Sequence, residues 1–442
     1  MAHRLYWLGA LLLWGTLSDG WAQPSVTLSC GRTLHGLTHL NRHSYYGIPF
    51  AEPPVGPRRL QPAKVKACPN TDLNATHYGS ACLQQDTSFA RPQSEDCLNL
   101  DMHVPLGDPA AGATTWPTLV WVYGGSNTGG STNDYMGLTN IVPLAEACVV
   151  TMNYRTGALG FLAVDALVEG DERRTAGNYG LTDIVASLEW VQANANAFRC
   201  STSNVTIYGQ SSGGTNILAL LTNPAHVGLF SAAYALSAST RQDFSREHAA
   251  SMQMPYLNGT VCRDLQGFAL AHCLRAVADP RDLIMTMPDS WDLGIHEVAP
   301  GVPNDHNENF VPLNIVDGVT VPMTLQAEYA MALSRPYALD FEEPAIPYPF
   351  HLWDWIVLQA AWDMFLPVYQ PSTEETRAHD LLVQFLHTFA RGQSTLAPFN
   401  DGVVNVIDNT TQGILTPQSQ YKAARCARLV ELGINASYWW IN

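Results

Sequence analysis

The pattern of apolar and polar positions along the chain predicts alternating strands and helices. Residues 118–123 and 148–154 form almost wholly apolar runs of strand length. Runs without apolar–polar alternation are typical of strands that are buried on both faces of a sheet. A shorter strand is predicted at 205–208, and residues 26–34 predict an N-terminal hairpin with Gly31 in its turn.

Three later segments carry apolar residues at helical spacing. Within 182–198 we expect Thr182 or Asp183 to cap the helix. Residues 212–222 predict a second helix, which ends before Pro224 because proline cannot continue a helix. A Ser-Thr-Glu-Glu capping box at 372–375 begins the third. Strands that alternate with helices indicate a layered α/β fold.

Composition restricts the classes of function. Of 442 residues, 46% are hydrophobic and 14% are charged, which excludes a largely disordered chain. Lys and Arg total 23, Asp and Glu total 39, and the formal net charge is −16. A surface this acidic repels phosphate backbones, so no nucleic-acid partner is expected. No Cys/His cluster has metal-ligand spacing, so we expect neither a metal nor another cofactor. No pattern indicates an oligomeric state.

The first residues predict a signal peptide. His3 and Arg4 precede a short apolar run at 5–14, and small residues stand at Gly20 and Ala22, the spacing of a cleavage site. We therefore expect residues 1–22 to be removed, and 23–442 to form one secreted domain. No later run reaches the eighteen apolar residues of a membrane span, so no integral membrane segment is expected after cleavage.

Glycosylation acceptors and cysteines agree with export. Five Asn-X-Ser/Thr triplets occur, at Asn74, Asn204, Asn258, Asn409 and Asn435. The nine cysteines are an odd number, so at least one is unpaired or bonded between chains. Short spacing favours the disulfides Cys82–Cys97 and Cys262–Cys273. Cys148 lies in an apolar run and is expected to be a buried free thiol; Cys30, Cys68, Cys200 and Cys426 remain unassigned.

A candidate nucleophile lies between a predicted strand and a predicted helix. Residues 209–213 have the pattern Gly-X-Ser-X-Gly. In this context the tight turn forms a nucleophile elbow that exposes the serine hydroxyl, here that of Ser211. The alternative is a glycine-rich turn without chemistry. The start of the helix would also face the oxyanion that forms during acyl transfer.

A second glycine turn ends another predicted strand. Tyr123 is followed by Gly124, Gly125 and Ser126. Backbone N–H groups of such a loop, together with the N–H of Ser212, would form an oxyanion hole. An ordinary turn after a strand is the alternative.

Several motifs beside the elbow are those of a known family. They are the stretches 46–56, 94–100, 153–161, 177–183, 228–230 and 317–318, in the family's order. On these residues the chain resembles the type-B carboxylesterase/cholinesterase family over about residues 24–325. The resemblance implies an α/β-hydrolase fold with a mostly parallel central sheet flanked by helices. It also implies the two short disulfides and places the oxyanion glycines on Gly124, Gly125 and Ser126, the last being a departure from glycine.

The family places an acid and then a histidine after the serine. His351, between a strand-like segment and the terminal helix, resembles the catalytic histidine, and His306 is the second candidate. The acid is not identifiable, because the segment between about 325 and 350 looks deleted relative to the family. Glu342 and Glu343 are the remaining carboxylates there.

These residues favour a secreted carboxylic ester hydrolase that acts on small-molecule esters through a serine nucleophile and an acyl-enzyme. The alternative is a catalytically impaired, cholinesterase-like adhesion or binding protein, which the missing acid and Ser126 favour. Acetylcholine is not the expected substrate. Cholinesterase-like members have glutamate where this chain has Gln210, and a tryptophan in a loop where it has only Phe89.

Overall fold

A seven-stranded sheet forms the centre of the computed structural model. The structure describes residues 23–69, 71–85, 92–132, 138–236, 238, 244–288, 291, 314–322, 339–342, 373–389, 391, 403–408 and 415–419. The described strands are β1 Ser25–Thr27, β2 Thr33–His35, β3 Leu37–Thr38, β4 Arg42–Pro49, β5 Leu73–Asn74, β6 Ala81–Cys82, β7 Gln93–Ser94, β8 Asn99–Pro105, β9 Trp116–Val122, β10 Cys148–Met152, β11 Cys200–Gln210, β12 Ala232–Leu236, β13 Leu339–Glu342, β14 Val403–Asp408 and β15 Leu415–Ser419. The order of strands in the seven-stranded sheet is β12-β11-β9-β10-β8-β4-β3. Strands β12, β11, β9 and β10 run parallel to one another, whereas β8 pairs antiparallel with β10, β4 with β8, and β3 with β4.

Helices connect and cover these strands. The described α-helices are α1 Ile141–Leu144, α2 Gly157–Phe161, α3 Tyr179–Asn194, α4 Ser212–Leu221, α5 Arg246–Leu257, α6 Gly267–Ala276, α7 Arg281–Met285 and α8 Thr373–Phe389. The predicted layered α/β fold, the N-terminal hairpin of β1 and β2, and the helix after the elbow are confirmed. Strands β9 and β10 are buried along their whole length, as the unbroken apolar runs predict.

The predicted cap of helix α3 is wrong. The helix begins three residues earlier than Thr182, at Tyr179, and follows Asn178, which has a left-handed backbone with φ of 54°. The Thr182 hydroxyl donates to the Tyr179 carbonyl at 2.6 Å, and Asp183 accepts from Arg155. Both polar side chains are thus engaged inside the first turns, which the local pattern of the sequence does not reveal.

The expected free thiol at Cys148 is also wrong. Cys148 begins β10 and is bonded to Cys200, which begins β11. These two strands flank β9, so their N-terminal ends lie close although the cysteines are 52 residues apart. The structure also contains the disulfides Cys82–Cys97 and Cys262–Cys273, and it pairs Cys30 with Cys68. Cys426 lies outside the described residues.

A buried histidine on β8 makes stability depend on pH. Burial, with smaller contributions from the charges of Arg42 and His39, lowers the pKa of His103 to about 3. Its Nδ1 lies 2.9 Å from the Ser44 hydroxyl. The folded state holds this imidazole neutral, whereas the unfolded chain protonates it below about pH 6.5. Its contribution to the free energy of unfolding is therefore complete above that pH and is lost as the pH falls towards 3.

We expect His103→Gln to flatten the pH dependence of unfolding between about pH 6.5 and 4. At pH 4 the wild type loses about 3 kcal/mol of its free energy of unfolding because the unfolded chain, and not the folded one, protonates His103. The variant should not show this loss. Urea unfolding at each pH measures it, with exposed His272→Gln as the matched control. An equally steep profile in both variants would contradict the assignment.

Within the described ranges, no helix is long and apolar enough to cross a bilayer. Over the same residues, no three His, Cys, Asp or Glu side chains are grouped as ligands of one ion. The predicted signal peptide at 1–22 lies outside the described part of the chain.

Candidate active site

Ser211 lies in the sharp turn between β11 and α4. Its backbone has φ of 57° and ψ of −129°, a conformation that side-chain-bearing residues rarely adopt. The strain is held from both sides: the Ser211 N–H donates to the Leu236 carbonyl of β12 at 2.9 Å, and its carbonyl accepts from the Thr215 N–H at 2.9 Å. The serine is thus held between the end of β11 and the start of helix α4.

The glycine after the elbow permits this close packing. A Cβ at Gly213 would collide with the carbonyl oxygens of Val122 and Tyr123 at the end of β9. Helix α4 therefore begins directly against the neighbouring strand. Its N-terminal end, where the helix dipole is positive, lies beside Ser211.

The loop after β9 lies against the elbow. A Cβ at Gly124 would be 2.6 Å from the Gln210 carbonyl oxygen and 2.9 Å from the Ser211 Cβ, so the loop backbone contacts the serine. Ser126 has φ of 55° and thus adopts the left-handed conformation that a glycine would take there. Despite the departure from glycine, the backbone at Ser126 is thus one that glycine adopts without strain.

Three backbone donors at this junction are not used by the fold. Among the described residues, no hydrogen bond engages the N–H of Gly125, Ser126 or Ser212. The Gly125 carbonyl, by contrast, accepts from the N–H groups of Thr128 at 2.9 Å and Gly129 at 3.1 Å. The loop's acceptor is thus engaged within its own turn, while its donors remain available to a ligand.

We expect Ser126→Gly to raise the free energy of unfolding by about 1 kcal/mol, since glycine adopts a positive φ without the Cβ clash. Ser126→Val should lower it, because a β-branched residue is least tolerated there. Thermal unfolding of both variants measures the effect. A Ser126→Val protein as stable as the wild type would contradict the conformation described for this loop.

Three of the remaining sequence-predicted site residues lie outside the described residues. These are His351, His306 and Glu343. Glu342 ends β13, but only its backbone is described. Their roles stay predictions.

A buried ion pair joins the segment after β10 to helix α3. Arg155, after β10, donates from Nη2 to Oδ1 of Asp183 on α3 at 2.6 Å and from Nε to Oδ2 at 2.9 Å. The Arg155 backbone N–H also donates to Oδ2 at 2.9 Å. Both side chains are almost fully buried, so each charge depends on the other for its stabilisation.

Sequence reasoning missed a group of asparagines beside the elbow. Asn127, Asn216 and Asn314 come from three distant segments and hydrogen-bond to one another. The only local signal is that asparagine tolerates the left-handed backbone that Asn127 adopts, with φ of 59°.

The sequence matches a family model over most of its length. The model for the carboxylesterase family matches residues 22–331. The chain belongs to the carboxylesterase family.

Similar curated proteins include three that are named as esterases. The chain is 36% identical over 241 residues to the para-nitrobenzyl esterase of Bacillus subtilis (strain 168), covering 52% of this chain and 47% of that one. It is 30% identical over 345 residues to the cocaine esterase of Homo sapiens, covering 74% and 56%. It is 39% identical over 210 residues to the acetylcholinesterase of Gallus gallus, covering 44% and 26%. The chain thus spans about half the length of the first two of these relatives.

Solved structures share the fold. The chain superposes on a PNB esterase with a TM-score of 0.71 and 21% identity, covering 92% of this chain and 100% of that one. The predicted α/β-hydrolase fold is confirmed by this likeness and by the family match.

Proposed function

We propose that the protein is a secreted carboxylic ester hydrolase with Ser211 as its nucleophile. The observation that carries the proposal is the strained turn at Ser211, with three unused backbone donors beside it. Such an arrangement is what acyl transfer needs, because the half-buried serine stands beside backbone donors that can stabilise the developing negative charge.

The proposed reaction has two steps. Ser211 Oγ attacks the carbonyl carbon of the ester, and His351 accepts its proton. The oxyanion is stabilised by the N–H groups of Gly125 and Ser126, in the loop that Gly124 begins, and by the N–H group of Ser212 at the start of α4. The alcohol leaves with a proton from His351, and a water molecule, activated by the same imidazole, cleaves the acyl-enzyme. Either Glu342 or Glu343 is the candidate for orienting the imidazole.

The disulfides support the proposed secretion. Four disulfides are present among the described residues, a density that oxidising compartments allow. The acceptor residues Asn74 and Asn258 are exposed. N-terminal sequencing of the protein from the medium of a eukaryotic host should begin at Gln23; an intact Met1 would contradict the cleavage.

The function is tested on the full chain purified from such a host. Hydrolysis of p-nitrophenyl acetate and butyrate, and covalent labelling by a fluorophosphonate, are expected together, because both need an activated serine. A folded protein that neither hydrolyses nor labels would overturn the proposal.

That negative outcome would favour the second candidate, a binding protein on the same fold. The observation behind it is the short interval between Gly318 and His351, which contains no acidic loop like that of the family. Fold alone does not establish catalysis.

A further inference from the structure

Three asparagine amides form a closed cluster beside the proposed oxyanion hole. Asn127 follows residues 124–126, the loop after β9 that we call the oxyanion loop. Asn216 lies on α4, and Asn314 begins the segment 314–322. The Asn127 amide nitrogen donates to the side-chain oxygens of Asn314 at 2.9 Å and Asn216 at 3.3 Å. The amide nitrogen of Asn216 donates back to Asn127 at 2.9 Å, and that of Asn314 donates to Asn216 at 2.8 Å.

The backbone of Asn127 is hydrogen-bonded as well as its side chain. Its N–H donates to the hydroxyl of Ser212 at 3.1 Å, and its carbonyl accepts from the Gly157 N–H at 2.6 Å. Asn127 is 4% exposed and Asn216 is fully buried. Because a buried amide is costly unless it is paired, these partners fix one arrangement of the loop.

Ser212 therefore has two connections to the same site. Its N–H is one of the unused donors, while its hydroxyl accepts from Asn127, two residues after Gly125. The two sides of the proposed oxyanion hole, one on α4 and one on the loop, are thus joined directly.

The other end of the loop is fixed by two stacked tyrosines. The rings of Tyr123 and Tyr154 are 4.3 Å apart and nearly parallel. The Tyr123 hydroxyl donates to the Tyr154 carbonyl, and the Tyr154 hydroxyl donates to the Tyr123 carbonyl, each at 2.8 Å. The stretch from Gly124 to Ser126 thus has a fixed anchor on each side.

We propose that the asparagine cluster positions the oxyanion loop against the nucleophile helix, with Asn127 as its central positioning residue. This inference rests on the proposed esterase function. The cluster acts on the transition state more than on substrate binding, because oriented donors matter most when the carbonyl oxygen becomes charged. Displacing such donors by about 1 Å costs about 100-fold in rate.

The test replaces Asn216, the member of the cluster that lies on α4, so that the sequence of the loop itself is unchanged. We expect Asn216→Ala to lower kcat for p-nitrophenyl butyrate about 100-fold, with KM changed less than about threefold because ground-state contacts remain. A trifluoromethyl ketone forms a tetrahedral adduct with an oxyanion, so its inhibition constant should rise by the same factor. Alanine is a good helix former, and α4 is expected to remain intact.

The matched control is Asn223→Ala. Its amide donates to the carbonyls of Val319 and Thr320, on the same segment as Asn314, but it does not touch the cluster. This variant should lose stability while its kcat and its affinity for the ketone stay those of the wild type. Asn314→Ala, at the half-buried edge of the cluster, serves as a milder second variant if Asn216→Ala does not fold.

The outcomes separate the inference from the function on which it rests. An active wild type whose folded cluster variants keep wild-type kcat and ketone affinity would overturn the positioning role, even if their unfolding temperatures fell. A wild type without hydrolysis or labelling would overturn both the function and the inference.

Discussion

Replacing Ser211 by alanine is expected to abolish ester hydrolysis, lowering kcat by about 10⁶-fold. No other group would then attack the carbonyl carbon, and only the oriented donors would remain. Fluorophosphonate labelling should vanish with it. The fold should persist, because alanine keeps the Cβ and the backbone bonds from Ser211 to Leu236 and Thr215 do not involve the hydroxyl. Steady-state kinetics and mass spectrometry of the labelled protein measure both effects.

The control is Ser251→Ala, an exposed serine on α5 whose hydroxyl donates to the His248 carbonyl at 2.7 Å. It should retain turnover and labelling. If Ser211→Ala still hydrolysed esters at the wild-type rate, the nucleophile would be another residue.

Replacing Asp183 by asparagine is expected to lower the free energy of unfolding by about 3–5 kcal/mol. The change leaves the Arg155 guanidinium buried without a counter-charge. The carboxylate accepts three hydrogen bonds from Arg155 on its two oxygens, whereas an asparagine side chain has only one acceptor oxygen. Urea unfolding followed by tryptophan fluorescence measures the loss.

The comparison is with an exposed pair of the same chemistry. Arg199 and Asp108 are 3.0 Å apart, and their side chains are 53% and 86% exposed. Solvent screens this pair, so Asp108→Asn should change the free energy of unfolding by less than about 0.5 kcal/mol. Equal effects of the two substitutions would mean that burial does not govern the Arg155–Asp183 pair.

The elbow could be predicted because its rule is local. The stretch around Ser211 holds a strand, a serine between two glycines, and a helix. This local pattern is enough to predict the tight turn at the serine. The same holds for the loop at Gly124 and Gly125, where a glycine turn directly follows a buried strand.

Contacts between distant segments could not be predicted in this way. Cys148 has the local pattern of a buried thiol, and only the order of the strands brings it to Cys200. The sequence around Asp183 is typical of a helix cap, but in the structure its carboxylate pairs with Arg155. The cluster around Asn127 joins three segments far apart in sequence, and a single sequence carries no signal for such pairing.

The order in which the chain is synthesised determines when the elbow becomes complete. Strand β9 and its loop leave the ribosome first, then Ser211, and then β12, whose Leu236 carbonyl accepts the Ser211 N–H. Asn314, which closes the amide cluster, comes later still. A nascent chain that ends before β12 lacks the bond that holds the serine in its strained turn. Fluorophosphonate reactivity of stalled ribosome-bound chains should therefore be absent until these residues, and after them His351, have emerged, so the proposed activity would be a late product of translation.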